Sequence, residues 1–196
     1  MASEFSGGAS SPCLKAGAFA PPPYLIGKIT EMIRLSARHL AEIKRHAEQE
    51  YPHECCGLLI GRIVDGGRTR EIAEIHPVAN TFTEEELRKL NFDLSELAAG
   101  AGSLAKEERH HRMLISPLEY ARAERHYSAR GLGVVGNYHS HPDHPAVPSQ
   151  FDLKHLAPWP TMSYIVVSVR AGKATDLFSW EIEPDGSKFN QEEIIS

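Results

Sequence analysis

Cysteine is scarce in this sequence: three in 196 residues, two of them adjacent at Cys55 and Cys56. Neighbouring cysteines are badly placed to bridge each other, and one further thiol cannot complete a disulfide framework. The expectation is a reducing compartment, hence the cytoplasm. No apolar run approaches the roughly 18 to 20 residues that a membrane helix needs, and the opening residues lack a basic stretch followed by an apolar core. Membrane spanning and secretion are therefore not expected. Positive charge is not in excess either: 21 Lys and Arg face 26 Asp and Glu, a net charge of -5. Phosphate backbones are held by clustered cations, so no nucleic-acid partner is expected, and a basic or neutral protein is easier to accommodate. What remains, 41% hydrophobic and 24% charged residues, is the balance of an ordinary globular domain, long enough for one core plus a tail.

Small residues, Gly, Ser and a triple Pro fill residues 1–27, which reads as a disordered tail or linker. The pattern changes from residue 28. "KITEMIRL" alternates like a strand, and Ser36 can cap a helix whose Ala37, Leu40, Ile43 and Ala47 recur at helical spacing until Pro52 forces a stop. "GLLIGRIV" and "TREIAEIHPV" flank Asp65-Gly66-Gly67, a hairpin signal. The stretch from about 83 to 111 reads as a long insertion with a short helix, and loops of that length in compact domains are often functional. Ser116-Pro117-Leu118-Glu119 opens a second helix that should reach Arg130 and stop at Gly131. Three strand candidates follow, "LGVVGNYHSH", "SYIVVSV" and "TDLFSWEIE", and residues 186–196 read as a C-terminal tail. The order predicts an α/β domain over 28–185, a mixed, mostly antiparallel sheet packed by helices.

Within this frame "NYHSHPDHPAVPSQFD", Asn137 to Asp152, is the chemical feature. On a strand, His139 and His141 lie on one face, roughly 6 to 7 Å apart at Cα. Pro142, Pro145 and Pro148 make the following segment a stiff turn that can bring Asp152 back to them. Two imidazoles and one carboxylate with a fourth position open are the ligand set of a catalytic zinc ion, which lowers the pKa of a bound water from about 15.7 toward about 7. Such a site needs a carboxylate to take the water's proton, and Glu54 in "YPHECCGLLIG", at a helix-to-strand junction, is the candidate. The plainer alternatives are that Ser149-x-x-Asp152 only caps a helix, that the histidines are ordinary strand residues, and that Cys55 and Cys56 are small apolar residues opening a buried strand.

Taken together, "YPHECCGLLIG" and "NYHSHPDHPAVPSQFD" resemble the JAMM (MPN-plus) metalloprotease family, whose signature is an upstream Glu followed by H-x-H-x7-S-x2-D. The resemblance spans roughly Ile29 to Trp180 and includes a P-x-E-x-x-G-like setting at Pro52, Glu54 and Gly57. It implies a single MPN-like domain in which His139, His141 and Asp152 ligate zinc, Glu54 is the general acid/base and Ser149 stabilises the oxyanion. It further implies hydrolysis of a peptide or isopeptide bond at the C-terminal tail of a ubiquitin-like protein. Within the family the chain looks most like compact prokaryotic members associated with ubiquitin-like sulfur-carrier proteins, which trim a carrier to expose its Gly-Gly end; deubiquitinase-like members are the alternative. It departs from them in the long segment after Thr83, where the family often places a loop that clamps the substrate tail. From another class, the rival is a non-catalytic zinc-containing module that binds ubiquitin-like proteins. A structural zinc site, however, closes its fourth position with a protein ligand and has no use for Glu54 or Ser149. The H-x-E with P-C-x-x-C pattern of zinc deaminases is absent.

Overall fold

The computed structural model describes residues 32–90, 112–156 and 161–196. The tail expected over 1–27 lies outside these residues, as does the larger part of the expected insertion, 91–111. Strand β1 (Met32–Arg34) leads into helix α1 (Ala37–Glu50), and the β2 (Cys56–Val64) and β3 (Thr69–Val78) hairpin follows. A short helix α2 (Glu84–Lys89) precedes helix α3 (Pro117–Ser128) and strand β4 (Gly133–Pro142). Strands β5 (Ser163–Arg170), β6 (Lys173–Ile182) and β7 (Phe189–Ile195) complete the described chain.

The helix boundaries follow from their caps. The Ser36 hydroxyl accepts the His39 amide while the His39 ring reaches back to the Ser36 amide, a reciprocal pair that satisfies two orphan donors of the first turn. Thr83 caps α2, whose glutamates lie in the first turn and whose Arg88 and Lys89 lie in the last, matching the helix dipole. In α3, Pro117 follows the Ser116 cap, and the chain turns off at Gly131, where φ is +67°.

Side chains alternate across the sheet and build two cores. Leu59, Ile165, Val167 and Val169 pack with Ile43 and Ala47 of α1. Their neighbours Leu58, Ile60 and Tyr164 pack with Ala123 and Tyr127 of α3. Strand β4 is central, antiparallel to β2 and parallel to β5. Its register against β2 shifts between Leu59 and Ile60, so the chain bulges at Val135. Bulges re-aim side chains: Val134 joins the α3 core, while both Val135 and Tyr138 join the α1 core. From Tyr138 onward, alternation sends His139 and His141 to the side opposite Tyr138.

The expected fold class holds with one addition, and one expectation is corrected. The sheet is mixed, with antiparallel pairs in the majority, but it closes into a barrel in the order β1-β3-β2-β4-β5-β6-β7. Residues 186–196 are not a tail, because β7 is paired antiparallel to β6 and parallel to β1. A buried ion pair locks this closure. Arg70 of β3 meets Glu192 of β7 at 2.8 Å with both side chains at most 2% exposed, and the Ser163 and Ser179 hydroxyls donate to the same carboxylate. Burial still pushes the Glu192 carboxyl above its ordinary range, with Arg70 and the serines opposing, so the network fixes β7 in place more than it adds net stability. Glu192→Ala should therefore cost about 3 to 5 kcal/mol by leaving a buried guanidinium uncompensated. Urea unfolding monitored by circular dichroism measures it, and a cost below about 1 kcal/mol would speak against a locking role.

Candidate metal centre

The end of β4, the turn after it and the junction between α1 and β2 converge on one place. His139 Nε2 and His141 Nε2 face each other at 3.0 Å. Asp152 presents Oδ1 to His139 at 3.7 Å and Oδ2 to His141 at 3.8 Å. All three ligand atoms lie within 4.8 Å of one another. His139 and Asp152 are buried, and the His141 side chain is 11% exposed.

The turn between is held at several points. The Asp143 amide donates to Val169 O and its carboxylate accepts from the Ala171 amide and the Tyr51 hydroxyl. Ser168 Oγ donates to His144 O at 2.6 Å, and Trp180 Nε1 donates to Ala146 O at 3.2 Å. Ser149 and Asp152 form the reciprocal cap that their spacing predicts: the Asp152 amide donates to Ser149 Oγ and the Ser149 amide to Asp152 Oδ2. The element that follows is a π-helical turn, Asp152–Leu156. Capping and facing the histidines are both done by one carboxylate.

These residues fit a metal ion. Donor atoms at the corners of a tetrahedron with bonds of about 2.0 to 2.1 Å stand about 3.3 Å apart, close to the separations seen here. His141 Nδ1 lies 2.9 Å from Pro145 O; a carbonyl only accepts, so Nδ1 carries the proton and Nε2 turns a bare lone pair toward His139. Across 3.0 Å that lone pair requires a proton or a cation from the other side. Burial pushes the His139 imidazole below its ordinary range, with Asp152 opposing and His141 adding to the effect, which favours the neutral, ligating form.

Glu54 sits at the same place, 4% exposed. Its Oε2 is buried without a hydrogen-bond partner, as is His139 Nδ1. Native interiors rarely leave such atoms unpaired away from functional sites. Burial pushes the Glu54 carboxyl well above the usual range, Asp152 reinforces this, and Arg112 opposes it. The junction is tied to the ligand strand because the Cys55 amide donates to Ser140 Oγ at 2.9 Å. Cys55 and Cys56 are buried free thiols, and burial pushes the Cys55 thiol up to about 12, so neither offers a thiolate nucleophile.

Three contributors have no spacing signal in the sequence: Ser140, Asn80 and Arg112. Asn80 Nδ2 donates to both Glu54 O and Arg112 O at 3.0 Å, and its Oδ1 accepts from the Phe82 and Leu114 amides. Gly57 also gains a reason. A Cβ there would stand 2.3 Å from the ring of Tyr138, the residue that precedes His139 and whose hydroxyl meets His46 Nδ1 of α1 at 2.8 Å.

Zinc added to chelator-treated protein should raise Tm, since a ligand that binds only the folded state stabilises it by mass action, about 4 kcal/mol at a thousandfold excess over Kd. His141→Ala and Asp152→Asn should lose that rise and the bound metal together, measured by thermal shift and elemental analysis. Unchanged stoichiometry in both variants would refute this ligand set.

A family model described as prokaryotic homologs of the JAB domain matches residues 36–183. Among solved structures, a protein from Salinibacter ruber is 32% identical, with 84% of this chain and 90% of its own covered and a TM-score of 0.57. A protein from Desulfitobacterium hafniense is 29% identical, with 84% and 92% covered and a TM-score of 0.62. No curated protein matches the sequence. Since the family match runs from the cap of α1 through β6 and takes in Glu54, His139, His141, Ser149 and Asp152, this chain belongs to the prokaryotic JAB domain family.

Proposed function

We propose that this protein is a zinc-dependent hydrolase that cuts the peptide or isopeptide bond after the C-terminal Gly-Gly of a ubiquitin-like or sulfur-carrier protein. The observation that carries the reading is the buried carboxylate of Glu54, with an unpaired oxygen, beside the His139, His141 and Asp152 cluster. A purely structural metal centre has no need of it. When bound, the ion supplies Lewis acidity toward water and the scissile carbonyl. Glu54 takes a proton from water as the C–O bond forms and gives it to the nitrogen as the C–N bond breaks. Its carboxyl is suited to that exchange because burial raises its pKa well above the usual carboxylate range, which makes it a better proton acceptor than an exposed glutamate. The Ser149 hydroxyl accepts the Asp152 amide through oxygen, which leaves its own proton to donate to the developing oxyanion. Glycines suit the approach because they carry no side chain to clash with the walls of a buried site.

The described strands all have neighbours on both sides in the closed barrel, so a tail that joins the sheet has only the parts of strands beyond their short neighbours, such as Ile72–Val78 of β3 past its three-residue pairing with β1. We place the activity in the cytoplasm, where free thiols such as Cys55 and Cys56 stay reduced. Among the described residues no helix is long and apolar enough to cross a membrane.

Intact-mass spectrometry of ubiquitin-like proteins carrying a C-terminal extension or an isopeptide-linked partner tests the reading. Loss of mass after Gly-Gly is expected with the zinc-loaded protein. Glu54→Gln should keep the metal and lose about 100- to 10,000-fold in kcat; full activity in that variant would remove Glu54 from the mechanism. Partners that bind without being cut would move the assignment to a non-catalytic module.

A further inference from the structure

Arg112 stands where the described chain resumes after residue 90, and its backbone is fixed beside Glu54 because one Asn80 amide group holds the carbonyls of both. Its side chain crosses to the other half of the site. The guanidinium carbon lies 4.5 Å from the centroid of Phe151, the residue preceding Asp152. Phe151 in turn packs edge-on against the buried Phe82 at 6.2 Å. Arg112 therefore bridges the carboxylate half of the centre and the ligand half, over a small apolar footing of Phe82, Leu87, Leu114 and Phe151.

Several other arginines have conventional partners: Arg34, Arg62, Arg70, Arg88, Arg122 and Arg130 each pair with a glutamate. Among the described residues no carboxylate lies in ion-pair range of Arg112. A guanidinium resting a face on an aromatic ring keeps its edge N–H groups free, and that edge matches a carboxylate in two parallel hydrogen bonds.

We infer that Arg112 recognises a free α-carboxylate, so that the favoured substrate is a linear chain ending a short distance past the scissile bond, and an isopeptide-linked conjugate is disfavoured. The inference rests on the hydrolase reading for the reaction, and on this geometry alone for the binding. Arg112 is a specificity residue here: it acts on the end of the substrate and takes no part in proton transfer.

The test uses peptides that end in Gly-Gly plus a short extension, made as free acids and as C-terminal amides, with zinc-loaded wild type, Arg112→Ala and Arg112→Lys. The wild type should favour the acid by at least about tenfold in kcat/KM, as expected for a charge-assisted bidentate contact. The ratio should fall to near one in Arg112→Ala and to an intermediate value in Arg112→Lys, which keeps the charge and loses the fork. The acid-to-amide comparison in the wild type needs no variant to fold. Binding of the same peptides to Glu54→Gln, by fluorescence anisotropy, separates the two readings. Acid-selective binding that disappears when Arg112→Ala is added, with no cleavage anywhere, would sink the hydrolase and leave the carboxylate site standing. Equal treatment of acid and amide, a preference that survives Arg112→Ala, or failure of both peptides to bind would overturn the inference.

Discussion

The Cys55 amide donates to Ser140 Oγ at 2.9 Å, and the Ser140 amide returns a bond to Cys55 O at 3.2 Å. Because Ser140 is flanked by His139 and His141, and Cys55 is preceded by Glu54, this exchange holds the Glu54 segment beside the two imidazoles. The period-two alternation of β4 then turns the Ser140 hydroxyl one way and both rings the other. The parts around it keep that arrangement undistorted. Gly57 lets Tyr138 lie across β2, and the bulge at Val135 brings Tyr138 under α1. Asn80 has both ends of its amide occupied, so the Glu54 loop has little freedom to move alone.

Electrostatically the centre is costly for its own carboxylates. Burial, reinforced by the nearby Asp152 carboxylate, makes Glu54 hold its proton more tightly. Arg112 moderates this from the side, without a direct ion pair. A group intended only for stability would be paired outright, as Arg70 is with Glu192. Glu192 is paired through both carboxylate oxygens, whereas Glu54 leaves Oε2 without a partner, and that contrast separates the Arg70–Glu192 network from the centre.

Much of this was legible in the sequence. The caps at Ser36 and Ser116, the hairpin about Asp65 to Gly67, and the strand placing His139 and His141 on one face all follow from local rules, which depend on a few neighbouring residues. Asp152 was legible because three prolines leave the chain few ways to run. What stayed hidden depends on contacts between segments distant in sequence. Asn80 gave no spacing signal, since its partners Glu54 and Arg112 lie far from it on either side. Phe189–Ile195 reads as a tail because it is short and carries Asn, Gln and two Glu; its strand character comes from pairing with β6 and β1, and Glu192 is tolerated inside only because Arg70 waits for it. Barrel closure is likewise a property of that late pairing.

That closure sets an order of events when the chain is made. Met32 of β1 is hydrogen-bonded in register with Glu193 of β7, so the first strand of the barrel lacks one neighbour until the last has left the ribosome. Translation delivers residues at about 5 to 20 per second, whereas a hairpin such as β2–β3 forms in about 1 to 10 μs. For several seconds, then, the nascent chain holds β2 to β5 with an open seam, and Arg70 stays in water. His139, His141 and Asp152, the candidate metal ligands, emerge before the seam can shut, so the cluster that would hold an ion is synthesised while the domain is still incomplete.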